Sequence, residues 1–333
     1  MLTKEEVLAA RENGLSVSAI AAQYGVNKRT VWKKLAALKK GAPAEFTHTP
    51  VPTTEIPVTD LIAHRKKQFD QLRIGKEARR LIPVKVNLHG PIGILTFGDP
   101  HLDDDGTDLG LVEEHVRLIG ATEGLFGANI GDTTNNWMGR LARLYAEQST
   151  STKQAWQIAE WFIRAVDWLY FLSGNHDAWS GPGDPIKWIL NSGVPNESGV
   201  RLNLQFPNKK EVRINARHTF PGHSMWNTTH GPSKAAQMGW RDHILIAGHT
   251  HVSGYQILKD PMTGMLSHAI RVGSYKTYDR YAEQLGLPDQ CISPAVVTVI
   301  DPAARTETGL ITVFHDVEEG AAFLTWKRQR KAA

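Results

Sequence analysis

Residues 92–101 read Ile-Gly-Ile-Leu-Thr-Phe-Gly-Asp-Pro-His, an apolar run that ends on two side chains able to bind a metal. The pattern recurs along the chain. Ala128-Asn-Ile ends in Gly131-Asp132, followed by Thr-Thr-Asn135. Trp168-Leu-Tyr-Phe-Leu-Ser ends in Gly174-Asn175-His176-Asp177. The alternating Val212–Ala216 ends in Arg217-His218, and His243-Ile-Leu-Ile-Ala ends in Gly248-His249-Thr-His251. Short apolar runs bounded by turn residues and separated by helical stretches predict strands of an α/β fold. Polar groups at strand ends gather along one sheet edge, where such folds build their sites.

Taken singly, each motif has an ordinary structural reading as a cap, a turn or a surface pair. Five in succession, with gaps of 33, 43, 43 and 31 residues between Asp99, Asp132, Asn175, His218 and His249, point to one assembled centre. Imidazoles and carboxylates without thiolates suit Mn, Fe or Zn more than softer ions. Seven such groups exceed the needs of one ion and suit two that share a bridging carboxylate about 4 Å apart.

These motifs resemble those of the calcineurin-like metallophosphoesterases over residues 82–285. D-x-H, G-D-x-x-(D/N), G-N-H-(D/E), a lone His and G-H-x-H occur in that order, with Val272-Gly273-Ser274 where the pattern ends in a Gly-Ser turn. The resemblance implies a two-sheet αββα sandwich. It assigns Asp99, His101 and His251 to one divalent metal and Asn175, His218 and His249 to a second, with Asp132 as the bridge. It gives His176 the leaving oxygen and Asp177 the orienting of His176. It also implies hydrolysis of a phosphodiester by attack of a metal-bound hydroxide, with Mn the leading metal and Fe, Zn or Ni as others. The lone histidine stays open between His218, which directly follows an alternating strand, His230, which precedes Gly231, and His223. His89, His115, His243, His268 and His315 fall outside every motif and read as surface or core residues.

The first quarter of the chain is different. Residues 1–81 hold 15 Lys/Arg and 8 Asp/Glu, a surplus of seven positive charges, which leaves 23 basic and 26 acidic residues in the remainder. Three helices are predicted in residues 1–41. Thr3 with Glu6 forms a capping box, Gly14 closes the first helix, Ser16 caps the second over 17–23, and Asn27 caps the third over 28–40. Ala21, Gly25, Val31 and Leu35 have helix-turn-helix spacing, and Lys28, Arg29, Lys33 and Lys34 are placed for phosphates beside a major groove. The resulting expectation is a DNA-binding module, in a combination that looks like phage or prophage proteins.

Residues 42–59 contain four prolines and five threonines and read as a linker. A basic helix over 60–81, capped by Asp60, joins it to one catalytic domain over 82–333. Arg140 and Arg143 lie one turn apart and are candidates for contacting a phosphodiester. Trp156, Trp161 and Trp168 read as core residues, and the C-terminal Trp326-Lys-Arg-Gln-Arg-Lys reads as a disordered basic tail.

The 333 residues are 41% hydrophobic and 22% charged, enough apolar material for a core and too little bias for general disorder. No apolar run approaches the roughly 20 residues of a membrane span, and the N-terminus lacks a signal peptide's apolar segment. A single cysteine, Cys291, excludes an internal disulfide or a cysteine zinc site and suits a cytoplasmic protein. DNA is the partner these features favour. A small nucleotide or phosphomonoester is the alternative substrate, with the N-terminal module serving localisation or regulation.

Overall fold

The computed structural model describes residues 2–39, 54–137, 142–178, 185–191, 193–224 and 226–332. The chain forms two compact units, residues 1–67 and 68–333.

In the first unit, α1 (Lys4–Glu12), α2 (Val17–Gln23) and α3 (Lys28–Lys39) close on Val7, Ala10, Ile20, Ala21 and Val31. Local chemistry sets their starts. The Glu6 amide donates to Thr3 Oγ1 at 3.2 Å, and the Thr3 amide returns a 2.7 Å bond to Glu6 Oε2. Ser16 Oγ accepts from the Ala19 amide, and Asn27 Oδ1 accepts from the Arg29 amide. Gly25 turns between α2 and α3 at φ 62°, a conformation that costs glycine little. α4 (Val58–Ala78) begins a turn earlier than a cap at Asp60 requires, because the Asp60 and Leu61 amides both donate to the Pro57 carbonyl. Most of the expected linker lies outside the described residues.

The second unit is a sandwich of two sheets. One has five strands: β2 (Ile92–Phe97), β3 (Leu125–Asn129), β4 (Trp168–Phe171), β10 (Ala295–Ile300) and β11 (Ile311–Phe314), in the order β11-β10-β2-β3-β4. The other has six: β1 (Ile82–Lys85), β5 (Gly199–Gln205), β6 (Glu211–Arg217), β7 (Ile244–Ala247), β8 (Gly254–Lys259) and β9 (Leu266–Arg271), in the order β1-β5-β6-β7-β9-β8. The two-residue period of a strand explains the layering. Ile92 and Ile94 face the other sheet and join Leu202, Leu204, Ile214, Ile244 and Ile270 in the central core. Leu95 and Phe97 face outward under a helical layer, where they meet Val112 and Ile119 of α5 (Leu109–Ala121) and Phe162 of the helix Thr152–Arg164. The segment His230–Trp240 covers the outer face of the six-stranded sheet at Leu245 and Ala247. The architecture is therefore the expected αββα.

Two expectations change. The basic C-terminus belongs to a helix, Val317–Ala332, whose Val317, Ala321 and Leu324 are buried against the five-stranded sheet. Two of its charges are held in place, with Lys327 Nζ 2.9 Å from Asp301 and Arg328 bonded to the Pro91 carbonyl and paired with Glu123. Among the tryptophans, Trp156 and Trp168 pack on the outer core, Trp168 from a strand, whereas Trp161 is 40% exposed. No helix among the described residues is long and apolar enough to cross a membrane.

Candidate metal centre

β2, β3 and β4 run parallel, as do β6 and β7, so each set delivers its motif to the same edge of its sheet. Asp99 and His101 follow β2, Asp132 follows β3, Asn175 and His176 follow β4, His218 follows β6, and His249 and His251 follow β7.

Asp132 is the shared member of two groups whose ligand atoms lie within 4.8 Å of one another: His101, Asp132 and His176, and Asp132, His218 and His249. The second group is dense. His218 Nε2 lies 3.0 Å from His249 Nδ1, 3.0 Å from Asn175 Oδ1 and 3.2 Å from Asp132 Oδ2. On the other side, His101 Nε2 lies 3.1 Å from His251 Nε2, which is 3.7 Å from Asp99 Oδ2. Asp99 sits between the two halves, its Oδ1 3.6 Å from His218 Nδ1. All seven sequence-predicted ligands thus belong to one connected constellation. Of the three candidate lone histidines, His218 lies in this cluster, whereas His223 lies in the loop beyond it and His230 opens the helix His230–Ala235.

The loops carrying these side chains are tightly constrained. His101, Asp132, His249 and His251 have φ values of 44°, 50°, 73° and 54°, which non-glycine residues adopt at a cost. Such strain persists only where the surroundings impose it, and it gathers at functional sites. The motif glycines permit the close approach. A Cβ on Gly174 would fall 1.9 Å from Asp132 Oδ1, and one on Gly248 would fall 2.7 Å from Asp99 Oδ1. Ser274, in the Gly-Ser turn, donates its hydroxyl to the Asp99 carbonyl at 2.7 Å.

The residues fit divalent cations. Among the described residues, Asp99 Oδ1 and His101 Nδ1 are buried without a hydrogen-bond partner. Two neutral imidazole nitrogens 3.0–3.1 Å apart, as in His101/His251 and His218/His249, oppose lone pairs unless a proton or cation is shared. Burial lifts Asp99 to about 6. Burial, with the neighbouring His251 and His176, holds His101 well below its usual value. Burial disfavours charge on both Asp132 and His218. Their mutual hydrogen bond overcomes it, lowering Asp132 and raising His218 to about 9. Burial and the adjacent His218 press His249 down to about 4.

His176 and Asp177 both take backbone partners. The His176 ring is oriented by the Asn135 carbonyl, 3.0 Å from Nδ1, while Nε2 lies 3.8 Å from Asp132 Oδ2. Asp177 is a buried clasp between loops: its carboxyl accepts from the Thr133 amide at 3.1 Å and the Gly174 amide at 2.8 Å. Burial and then the Asp132 charge push Asp177 up to about 8. Arg143 reaches Gln284 at 3.2 Å, and Arg140 lies outside the described residues. Of the N-terminal basic residues, Lys28, Arg29 and Lys33 are exposed and Lys34 is half-buried. His115, His243 and His268 are buried, and His115 pairs with Tyr275 Oη at 2.6 Å.

Several supporting residues carry no motif signal. Asp103 accepts from the Asn135 amide at 2.6 Å, and Asp104 accepts from the Asn135 side chain at 2.7 Å. Lys276 Nζ bridges Asp104 and Asp279, at 2.8 and 3.0 Å. Sequence shows Asp279 only as a helix cap, and spacing gives no reason to join Asp104 to Lys276.

No protein-family model matches the chain, and no curated protein matches it significantly. Solved structures show faint likeness. A novel archaeal phosphodiesterase is 14% identical with a TM-score of 0.32, over 67% of this chain and 98% of its own. An NAD nucleotidase of Haemophilus influenzae is 11% identical at 0.35, over 67% and 49%. A hypothetical protein from Thermus thermophilus is 12% identical at 0.30, over 67% and 99%. Likeness this slight assigns nothing to the chain. Its own geometry defines the class: a two-sheet αββα sandwich with a cluster of histidine, aspartate and asparagine side chains, able to hold metal, at the strand ends.

Proposed function

We propose that the protein is a calcineurin-like phosphoesterase that uses two divalent metals to hydrolyse phosphodiester bonds in DNA. The observation that carries this reading is the position of Asp132, common to two separate metal-competent groups. Asp99, His101 and His251 would hold one ion, Asn175, His218 and His249 the other, and Asp132 both. When bound, such a pair supplies charge neutralisation at a phosphoryl group and a more acidic water.

The chain's own residues do the rest. The Asn135 carbonyl accepts from Nδ1–H of His176, which leaves Nε2 facing the site to hydrogen-bond the leaving oxygen. The buried Asp177 clasp keeps the Asp132 and Asn175 loops in register. α1–α3, read as a helix-turn-helix, would hold duplex DNA through Lys28, Arg29, Lys33 and Lys34 and raise the local concentration of substrate. A cytoplasmic protein with Mn in the site is the form we favour, and the charge surplus in residues 1–81 is what selects DNA.

The test is cleavage of end-labelled linear and closed-circular DNA with Mn²⁺, beside Asp132→Asn. Cleavage by the wild type that disappears in the variant supports the reading, and loss of the closed circle defines an endonuclease. DNA left intact while a chromogenic phosphodiester is hydrolysed would replace it with the small-substrate reading. That alternative draws on the fact that every candidate ligand lies between residues 99 and 251, in the second unit.

A further inference from the structure

His251 is the one candidate ligand whose second ring nitrogen meets a carboxylate from outside the motifs. Its Nε2 points toward Asp99 and His101, at 3.7 and 3.1 Å, while Nδ1 lies 3.4 Å from Asp279 Oδ2. Asp279 is itself firmly fixed. Its Oδ1 accepts from the Tyr281 amide at 3.0 Å and the Ala282 amide at 3.2 Å, and lies 3.0 Å from Lys276 Nζ. The Lys276 side chain is only 6% exposed, and its ammonium is shared with Asp104 Oδ2 at 2.8 Å. Asp104 is held in turn by the Gly106 amide and the Asn135 side chain. The Asn135 carbonyl then meets His176 Nδ1. One partly buried polar chain, His251–Asp279–Lys276–Asp104–Asn135–His176, therefore ties together two histidines of the centre.

We propose that Asp279 is a positioning residue for His251, which fixes its Nδ1–H tautomer and turns Nε2 to the metal, with Lys276 as the buried counter-charge that holds Asp279 in place. The inference rests on the metal reading given above. Imidazole ligands ordinarily donate their other N–H to a carboxylate or carbonyl, which sets ring orientation and raises ligand basicity. His251 needs such a partner because its backbone is strained at φ 54° and its ring is 27% exposed, so packing alone does not lock it. Two carboxylates, Asp104 and Asp279, flank a single buried ammonium. The free oxygen of Asp279 thus stays a strong acceptor aimed at His251.

Mn²⁺ binding to the full-length protein, followed by calorimetry, tests this with Asp279→Ser and Asp279→Asn. Serine keeps the cap of the helix Arg280–Leu285 but is too short to reach His251, whereas asparagine keeps the length but has one acceptor oxygen, claimed by the cap and Lys276, so its amide N–H2 faces His251 Nδ1. We expect wild type to bind two Mn²⁺. Asp279→Ser should weaken one site by about 10- to 100-fold, and asparagine, which offers His251 a donor instead of an acceptor, should weaken the same site. ¹⁵N NMR of the histidine rings in metal-free protein gives an independent readout. The His251 resonance should report Nδ1–H in wild type and shift toward Nε2–H in Asp279→Ser. Wild-type binding of two ions with an unchanged serine variant would overturn this inference alone. Failure of the wild type to bind Mn²⁺ would overturn the metal reading and this inference with it.

Discussion

Gly174→Ala is the sharpest test of how the centre is built. The added Cβ would lie 1.9 Å from Asp132 Oδ1, 2.6 Å from its Cγ and 2.5 Å from its backbone nitrogen. Real Cβ contacts need more than 3 Å, so either the carboxylate or the Gly174 loop must move by about 1 Å. Two of the atoms in the way belong to the side chain assigned the bridging role, and the third is backbone, which cannot rotate aside. Overpacking of this kind costs about 1–3 kcal/mol. For a unit of this size that is on the order of a 2–10 °C fall in Tm. The larger effect falls on function, where a 1 Å misplacement costs about 10²-fold. Gly120→Ala is the matched control, because nothing lies within 4 Å of its Cβ position and alanine favours the helix. Differential scanning calorimetry and Mn²⁺ titration of both variants provide the assay. Equal Tm and equal Mn²⁺ affinity in Gly174→Ala and wild type would refute the claim that Gly174 makes room for a metal-bridging carboxylate.

Acid stability reports on histidines away from the centre. Burial is the main force that depresses His243 and His268, both to about 4. Their folded values lie below the unfolded 6.5, so the unfolded chain binds more protons between those limits. Stability is then full above about pH 6.5 and falls as pH drops toward 4, at up to about 1.4 kcal/mol per pH unit for each group. Urea midpoints from pH 7 to 4.5 should fall less steeply in His268→Gln than in wild type, and parallel curves would contradict this. At the N-terminus, Lys28→Ala with Lys33→Ala should weaken duplex binding by fluorescence anisotropy alike for every sequence. The slope of log affinity against log salt should shrink by about 2, and an unchanged slope would remove these lysines from the phosphate contacts.

What was legible in the sequence is what depends on neighbours a few residues away. The Thr3–Glu6 capping box, the Ser16 and Asn27 caps and the turn at Gly25 appear as read, since each is a bond or a conformation spanning two to four residues. The strand endings were legible for a similar reason. An apolar run that halts at Gly-Asp or Gly-His shows where its side chains emerge, and parallel pairing brings those ends to one edge. The C-terminus misled because Lys327 and Arg328 look solvated until their partners, Asp301, Pro91 and Glu123, arrive from far along the chain. The amide partners of Asp177, Thr133 and Gly174, were not legible, because adjacency in sequence says nothing about which way a buried carboxyl turns.

The sequence by itself therefore determined the α/β class, the order of the motifs and the kinds of atoms offered to a metal. These follow from local periodicity and residue chemistry. Only the tertiary structure decided that His218 meets Asn175 and His249, that Asn135 orients His176, and that Asp104, Lys276 and Asp279 form one partly buried chain behind His251. Those contacts join strands and loops from both sheets. Face-to-face packing of the two sheets sets the His218–Asn175 distance, neighbouring parallel strands set His218–His249 and Asn135–His176, and no spacing along the chain encodes either.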